Sequence, residues 1–391
     1  MTEAESRALI DTTAAPLGIR ELLTAEYVSA LHRESDGHPY VMKVLLGEVA
    51  KARKLVKLER IVGDQDHILV ALFERTYERL SPAAKRLFLT IGRWRSMVPV
   101  VGLRAVVLRP QNERIDVDAA LNELEKSSLV EVHVSEHDQQ EFVSAPLAAA
   151  LFAQRKLRAD HLKSAIEADV QALRDFGALQ ETDLRHGLRP RVRQLFRAAS
   201  DRAVKDPKTL EADLPVLEFV ARSYPEAWLW LADILESVGG QSSLERTKAA
   251  VRGFLEDEGT DEVQRHNAWD KMADLSRRDR DPRGELHAWA EYAGTSPTLD
   301  GVSLAANKIN TVLRQRVVSL DRDEKRVLVD RVLDAFERFE TDASGTAFSR
   351  VAWLCCNVGD EDRARDFTSR GLKKDPGNEH LENLASRLKL W

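Results

Sequence analysis

Apolar residues fall at three- and four-residue spacings through most of this chain, and the grammar between them changes twice. Up to about Val62 the pattern predicts short helices. An apolar-rich run from Leu17 to Leu23 leads to Thr24, which with Tyr27 three places on reads as a capped helix start. That helix stops at Ser35-Asp36-Gly37-His38-Pro39. Gly37 suits the C′ position, and Pro39 suits the first residue of the next helix, Tyr40 to Lys54. On it Val41, Leu45, Val49 and Ala52 recur at four, four and three, which predicts one buried face.

From about Ile68 the pattern shortens. Ile68, Leu72, Tyr77 and Leu80 fit one helix, and Ser81-Pro82 opens another through Leu87, Phe88 and Ile91. Helices around Leu103–Leu108 and Val117–Ser127 follow. Leu129 to Val134 then runs β-branched, Glu136 to Gln140 is a polar tip, and Glu141-Phe142-Val143 is a second short strand. Helices followed by a β-hairpin are the order of a winged-helix domain.

Beyond about Leu157 the pattern is helix after helix: 157–176, 181–204, 208–223, 225–238, 242–257, 261–278, 282–296, 300–318, 323–340, 344–358, 361–374 and 378–390. Prolines at 225, 297 and 376, the turns Gly239-Gly240 and Gly359-Asp360, and Asp281 punctuate them at similar offsets. Paired helices of this length are the mark of tetratricopeptide-like solenoids, in which no pair buries its apolar face alone. The expected fold class is all-α with one small β-hairpin, in three parts: 1–65, 66–156 and 157–391.

Composition agrees with this pattern. The 391 residues hold only 19 Gly and 13 Pro, below the usual combined share of roughly 12%, which disfavours turn-rich sandwiches and parallel α/β sheets. The net charge of −6 divides evenly, −3 in residues 1–150 and −3 in the remainder. Bulk charge therefore does not point to nucleic acid. The two cysteines, Cys355 and Cys356, are adjacent and read as core packing in a reduced, cytoplasmic protein. No apolar run suggests a membrane span, and the start carries Glu3 and Glu5 instead of a basic leader.

Three stretches carry a resemblance to a known family. Ser35 to Leu45 resembles the Gly-x-Pro segment in the lid subdomain of STAND NTPases, the group of NB-ARC and NACHT-like signalling ATPases. Phe73 to Phe88 resembles the opening of their winged-helix subdomain, and Leu121 to Val130 the stretch leading into its wing. The resemblance covers the first ~155 residues by motif and the rest by architecture. It implies a lid over 1–65, a winged helix over 66–156 and a ligand-sensing repeat region over 157–391. It also implies an adenine-side contact by Gly37 and Pro39, made only when a nucleotide-binding domain joins the chain.

The departures from that family are equally informative. No Gly-x-x-x-x-Gly-Lys-Ser/Thr run is present to cradle phosphates, and no strand ends in an acidic pair suited to Mg²⁺. Ser144-Ala145-Pro146 occupies the place of the family's Met-His-Asp-like motif, so Ala145 replaces the phosphate-sensing histidine. The expectation is a chain without catalytic residues, resident metal or cofactor, with ATP or ADP relevant only through an attached domain.

Other chemistry finds little support. Asp116, Asp118, Glu123 and Glu125 outnumber Lys126 on the helix that would enter DNA, and the tip Glu136, Asp138 and Glu141 is acidic. His133 and His137 flank a hairpin tip and share no helix face; no nucleophile elbow appears. Trp228, Trp230, Trp269, Trp289 and Trp353 read as repeat core. The most basic stretch contains Arg185, Arg189, Arg191, Arg193 and Arg197, a candidate contact for a polyanion or an acidic partner. Its plainer reading is a solvated face paired with Asp201 and Glu211. Arg277, Arg278, Arg280 and Arg283 read the same way.

Three functions stay open. The first is a regulatory and sensor region of a STAND-type ATPase, serving bacterial defence or regulation by the resemblance, with a protein ligand on the concave repeat face and a partner ATPase domain. The second is a stand-alone repeat scaffold. The third, nucleic-acid binding through residues 185–202, is least favoured.

Overall fold

Thr2 opens the first helix, α1 (Glu3–Leu17), through a reciprocal cap with Glu5. Gly18 closes it in the left-handed region. A 3₁₀ turn (Arg20–Leu22) leads to α2 (Ala25–Glu34), capped by Thr24 accepting from the Tyr27 amide, and to α3 (Pro39–Ala52). These coordinates are a computed structural model that describes residues 1–35, 37–56, 65–94, 96–109, 111–176, 187–239, 241–257, 259–315 and 320–390. Helix α3 buries more than the single face its spacing predicts. Val41, Met42, Val44, Leu45, Leu46 and Val49 are all buried, while Ala52 is exposed. Only a narrow strip that includes Lys43 and Lys51 reaches the surface, so most of the helix lies inside a core.

The chain continues through α4 (Gln65–Glu78), α5 (Pro82–Trp94), β1 (Val98–Pro99), α6 (Val100–Val107), α7 (Val117–Lys126), β2 (Glu131–Val134), β3 (Glu141–Ser144) and α8 (Leu147–Leu157). The expected hairpin is present, but it is part of a three-stranded antiparallel sheet of order β1-β3-β2. Val98 pairs with Val143 and Pro99 with Phe142. Two residues are too short to show a period, and Pro99 argued against a strand. It is tolerated because β1 is an edge, where a missing N–H costs no ladder bond. Central β3 buries both Phe142 and Val143.

Close approach of α3 and α7 depends on Gly47, where a Cβ would stand 2.4 Å from the Lys126 carbonyl oxygen. The rings of Tyr40, Phe73, Tyr77, Phe88 and Phe152 form a chain of contacts with centroids 5.4–6.3 Å apart. This aromatic core joins α3, α4, α5 and α8, so it crosses the boundary expected at residue 65. Burying each ring contributes roughly 1.5–3 kcal/mol.

Helix α9 (Lys163–Leu173), a 3₁₀ turn (Arg174–Phe176), α10 (Arg189–Lys205) and α11 (Thr209–Ser223) follow. The helix expected over 157–176 starts only at Lys163 and passes into the 3₁₀ turn at Arg174, while α8, which the pattern did not predict, precedes it. The chain forms two compact units, Met1–Val220 and Ala221–Trp391. The first unit thus carries α9, α10 and most of α11 beyond residue 156.

The second unit holds α12 (Ala227–Val238), α13 (Gln241–Leu255), α14 (Glu262–Arg278), α15 (Pro282–Thr295), α16 (Leu299–Arg314), α17 (Arg322–Glu337), α18 (Gly345–Asn357), α19 (Glu361–Lys374) and α20 (Glu379–Leu388). They pack as consecutive pairs, each on the next, with α15 also on α17 and α16 on α18. This is a tetratricopeptide-like α-solenoid. Its turns repeat: Asp281 caps α15 and Asp360 caps α19, each preceded by a left-handed residue, Arg280 and Gly359. Both aspartate amides reach back five residues, to Ser276 and Cys355 carbonyls, at 2.9 Å. Cys355 is buried, and burial pushes its thiol up to about 12, which suits packing over thiolate chemistry. Of the five tryptophans expected in the core, Trp289 is buried; the other four are half-buried.

Candidate functional site

Gly37 and Pro39 lie where the sequence places them, between α2 and α3. Gly37 has φ +66°, its N–H donates to the His32 carbonyl, and its own carbonyl accepts from the Met1 amino group at 3.1 Å. His38 caps α3 by accepting from the Val41 amide, and Pro39 is the first helical residue. One turn further on, Tyr40 and Lys43 enter a cavity of about 490 Å³ formed with α1, α7 and β2. Tyr40 donates to the Ser128 carbonyl at 2.7 Å, and the Ser128 hydroxyl donates to the Lys43 carbonyl at 3.2 Å. These crossed bonds fix α3 against the turn after α7. Burial raises the Tyr40 phenol far above its ordinary value. Gly37 and Pro39 do not line this cavity.

In the second unit an opening of about 510 Å³ lies among α13, α14 and α15. Leu255 and Met272 contribute its apolar floor, while Trp269 and His287 face one another with ring centroids 5.6 Å apart. Lys248 is buried beside it and donates to Asp279 at 2.6 Å and Asp281 at 3.1 Å. Burial works against the ammonium charge, but those two hydrogen bonds outweigh it and hold the Lys248 pKa above its ordinary value. Asp281 does double duty, since it also accepts from the Gly284 amide to start α15. The Ser276 hydroxyl lies fully buried at the lining without a hydrogen-bond partner. Apolar and aromatic surface with a few fixed polar groups is the make-up of a binding groove. No local sequence signal announces it, because its three walls come from three helices.

The basic stretch is split. Arg185 lies outside the described residues. Arg189, Arg191, Arg193 and Arg197 all stand on α10, whose inward face is Val192, Leu195, Phe196, Ala199 and Ala203. The expected pairing with Asp201 and Glu211 does not form for Arg193 or Arg197: neither makes an ion pair among the described residues. Arg202 instead engages Asp175 at 2.8 Å and Asp213 at 2.9 Å. In the smaller cluster Arg277 pairs with Asp274, Arg278 with Glu236 and Arg283 with Glu324, whereas Arg280 makes no ion pair among the described residues.

The acidic hairpin tip reaches α10. Asp138 accepts from the Leu188 amide at 2.6 Å, at the helix N-terminus where a carboxylate is favoured by the dipole. Among the described residues no group of three or more His, Cys, Asp or Glu side chains is placed to hold a metal ion. Among them also, no helix is long and apolar enough to cross a membrane.

No protein-family model and no curated protein matches the sequence. Among solved structures the chain is similar to a Signal Transduction ATPase with Numerous Domains (STAND) protein with a tetratricopeptide repeat sensor from Pyrococcus horikoshii. The identity is 14% and the TM-score 0.32, over 100% of this chain and 57% of that one. It is also similar to the tetratricopeptide domain of P58(IPK), at 13% identity and TM-score 0.22, over 99% of this chain and 98% of the other. The chain thus spans just over half the length of the STAND protein it matches.

Proposed function

We propose that this chain is the non-catalytic regulatory and sensor region of a STAND-type signalling ATPase. Its repeats hold a protein ligand, and its lid-like and winged-helix-like parts relay that event to an ATPase domain. The observation that carries the reading is the order of parts along one chain. Helices α1 to α3 come first, then α5-β1-α6-α7-β2-β3 with sheet order β1-β3-β2, then the stacked pairs from α12 onward. The third strand supports reading residues 66–156 as a winged helix, since it braces the hairpin against the helices that precede it.

The groove bounded by Trp269, Met272 and His287 is the ligand contact in this reading. A ligand changes a switch only through different affinity for its two states, so it must alter how the repeats pack. Two free neighbouring thiols, Cys355 and Cys356, support a reduced cytoplasmic setting. The nucleotide itself belongs to another domain, because this sequence has no phosphate-binding loop.

Titration of labelled ATP and ADP into the purified chain tests the non-catalytic claim. No saturable binding is expected; micromolar binding with turnover overturns it. A second reading, a stand-alone repeat scaffold, is favoured by Ala145, which cannot sense a phosphate as a histidine does. A Walker-type ATPase domain encoded upstream or alongside supports the first reading, and its absence there supports the second.

A further inference from the structure

A cavity of about 250 Å³ in the first unit lies between the end of α4, the start of α5, the end of α6 and the turn that joins α8 to α9. Leu89, Val107 and Ile115 give it an apolar wall, and Tyr77, Arg86 and Asp160 bring polar groups to the same space. Tyr77 is only 6% exposed, yet its hydroxyl has no hydrogen-bond partner among the described residues. Burial, and after it the charge of Asp160, pushes the phenol up to about 12, so it stays a donor. Arg86 is 8% exposed. Its Nη2 is held by Asp169 and Asn112, while Nε and Nη1 donate to nothing among the described residues. Asp160 uses Oδ1 to accept from the Leu162 amide at 2.8 Å and to face His161 at 3.5 Å, which leaves Oδ2 unengaged among the described residues. Of the other charged groups at the lining, Lys85 is engaged by Glu78, and Glu113 and His161 are exposed. Buried donors without acceptors are costly, and two of them at one cavity point to a ligand.

We infer that this cavity binds a free α-amino acid with an apolar side chain. The order of charges matches: the Arg86 guanidinium and the Tyr77 hydroxyl donate to the carboxylate, and Asp160 accepts from the ammonium. Leu89, Val107 and Ile115 cover the side chain. The cavity is smaller than the roughly 300–1,000 Å³ of sites for drug-sized ligands, which suits a molecule of amino-acid size. A plain carboxylic acid would set an apolar carbon against Asp160, and a plain amine would leave Arg86 and Tyr77 unsatisfied. The site lies wholly within the first unit, and it depends on neither the repeat groove nor a nucleotide.

Isothermal titration calorimetry of the full chain with L-leucine, L-methionine and L-phenylalanine tests this. At least one is expected to bind saturably at millimolar concentration or below. The tightest is then compared with its analogues lacking the ammonium or the carboxylate; for leucine these are 4-methylpentanoate and 3-methylbutylamine. Each is expected to bind roughly 10- to 100-fold more weakly, the factor carried by a hydrogen bond to a charged group. Tyr77→Phe removes a hydroxyl that bonds nothing among the described residues, so it is expected to weaken binding about ten-fold with an unchanged thermal melt. Asp160→Asn is expected to weaken the amino acid but to spare the deamino analogue, a pattern that loss of structure would not give. Arg86→Met is expected to abolish binding; it leaves Asp169 paired with Arg109, and circular dichroism checks its fold. No saturable binding of any of the three at millimolar concentration overturns the assignment. So does binding that Tyr77→Phe and Asp160→Asn leave unchanged, which places the ligand elsewhere. A deamino analogue bound as tightly as the amino acid makes this a plain carboxylate site and overturns it equally.

Discussion

Arg86 Nη2 lies 2.5 Å from Asp169 Oδ2 across 83 residues of sequence, with Asp169 completely buried. The same carboxylate accepts from Arg109 at 2.5 Å and from Asn112 at 3.0 Å. One anion on α9 therefore compensates two guanidinium groups on and beside α5 and α6. Among the described residues the buried Arg86 Nε has no hydrogen-bond partner, while Arg86 Nη2 also donates to Asn112 Oδ1 at 3.2 Å.

Removing that anion leaves two cations in a low-dielectric site. Asp169→Asn is expected to destabilise the first unit by about 3–5 kcal/mol, the usual cost of breaking a buried pair. The urea midpoint measures it. Asp169→Leu combined with Arg86→Met and Arg109→Met is expected to recover much of the loss, since no charge of the cluster is then left uncompensated. A wild-type midpoint in the single variant would show that the cluster does not hold α9 in place.

Arg280 and Gly359 occupy equivalent turns, both with left-handed backbone, φ 58° and 73°. Glycine adopts this region freely, whereas a side chain costs about 1–2 kcal/mol. Arg280→Gly is therefore expected to stabilise the second unit by about 1 kcal/mol, and Gly359→Arg to destabilise it by a similar amount. Thermal melts of the two variants, displaced in opposite directions, check the equivalence of the repeats. Arg280 makes no ion pair among the described residues, so little is lost with its side chain.

His266 stacks on Tyr292 with centroids 4.0 Å apart, and its Nδ1 lies 3.3 Å from the Thr295 hydroxyl. Burial lowers its pKa below the ordinary value, against smaller opposing effects of a hydrogen bond at Tyr292 and the charge of Asp270. Between the folded and unfolded values the unfolded chain binds more protons. Stability then rises with pH through that window and is lost as pH falls below about 6.5. His266→Asn is expected to flatten this part of the stability profile between pH 5 and 7. An identical pH slope in variant and wild type would assign the acid sensitivity to other groups.

Much of the fold is legible from local rules. The Thr24 cap, the Gly37 and Pro39 helix boundary, the Asp360 cap after Gly359 and the succession from α12 to α20 all depend on interactions within about four residues. Position in sequence therefore decides them. The same rules fail where partners are distant. Periodicity identified an apolar face on α3 but not the core that surrounds it. A two-residue strand at Val98 and Pro99 exists because β3 lies beside it.

The charge pattern divides in the same way. The sequence by itself determined that α10 is basic and that the hairpin tip is acidic, since composition is local. Only the tertiary structure decided that Asp138 docks on the start of α10, that Arg202 takes Asp175 and Asp213, and that Arg193 and Arg197 find no ion pair among the described residues. It alone also built the groove between Trp269 and His287 and buried Asp169 between two arginines. Coulomb and packing energies depend on separation in space, and chain order limits that separation only over a few residues.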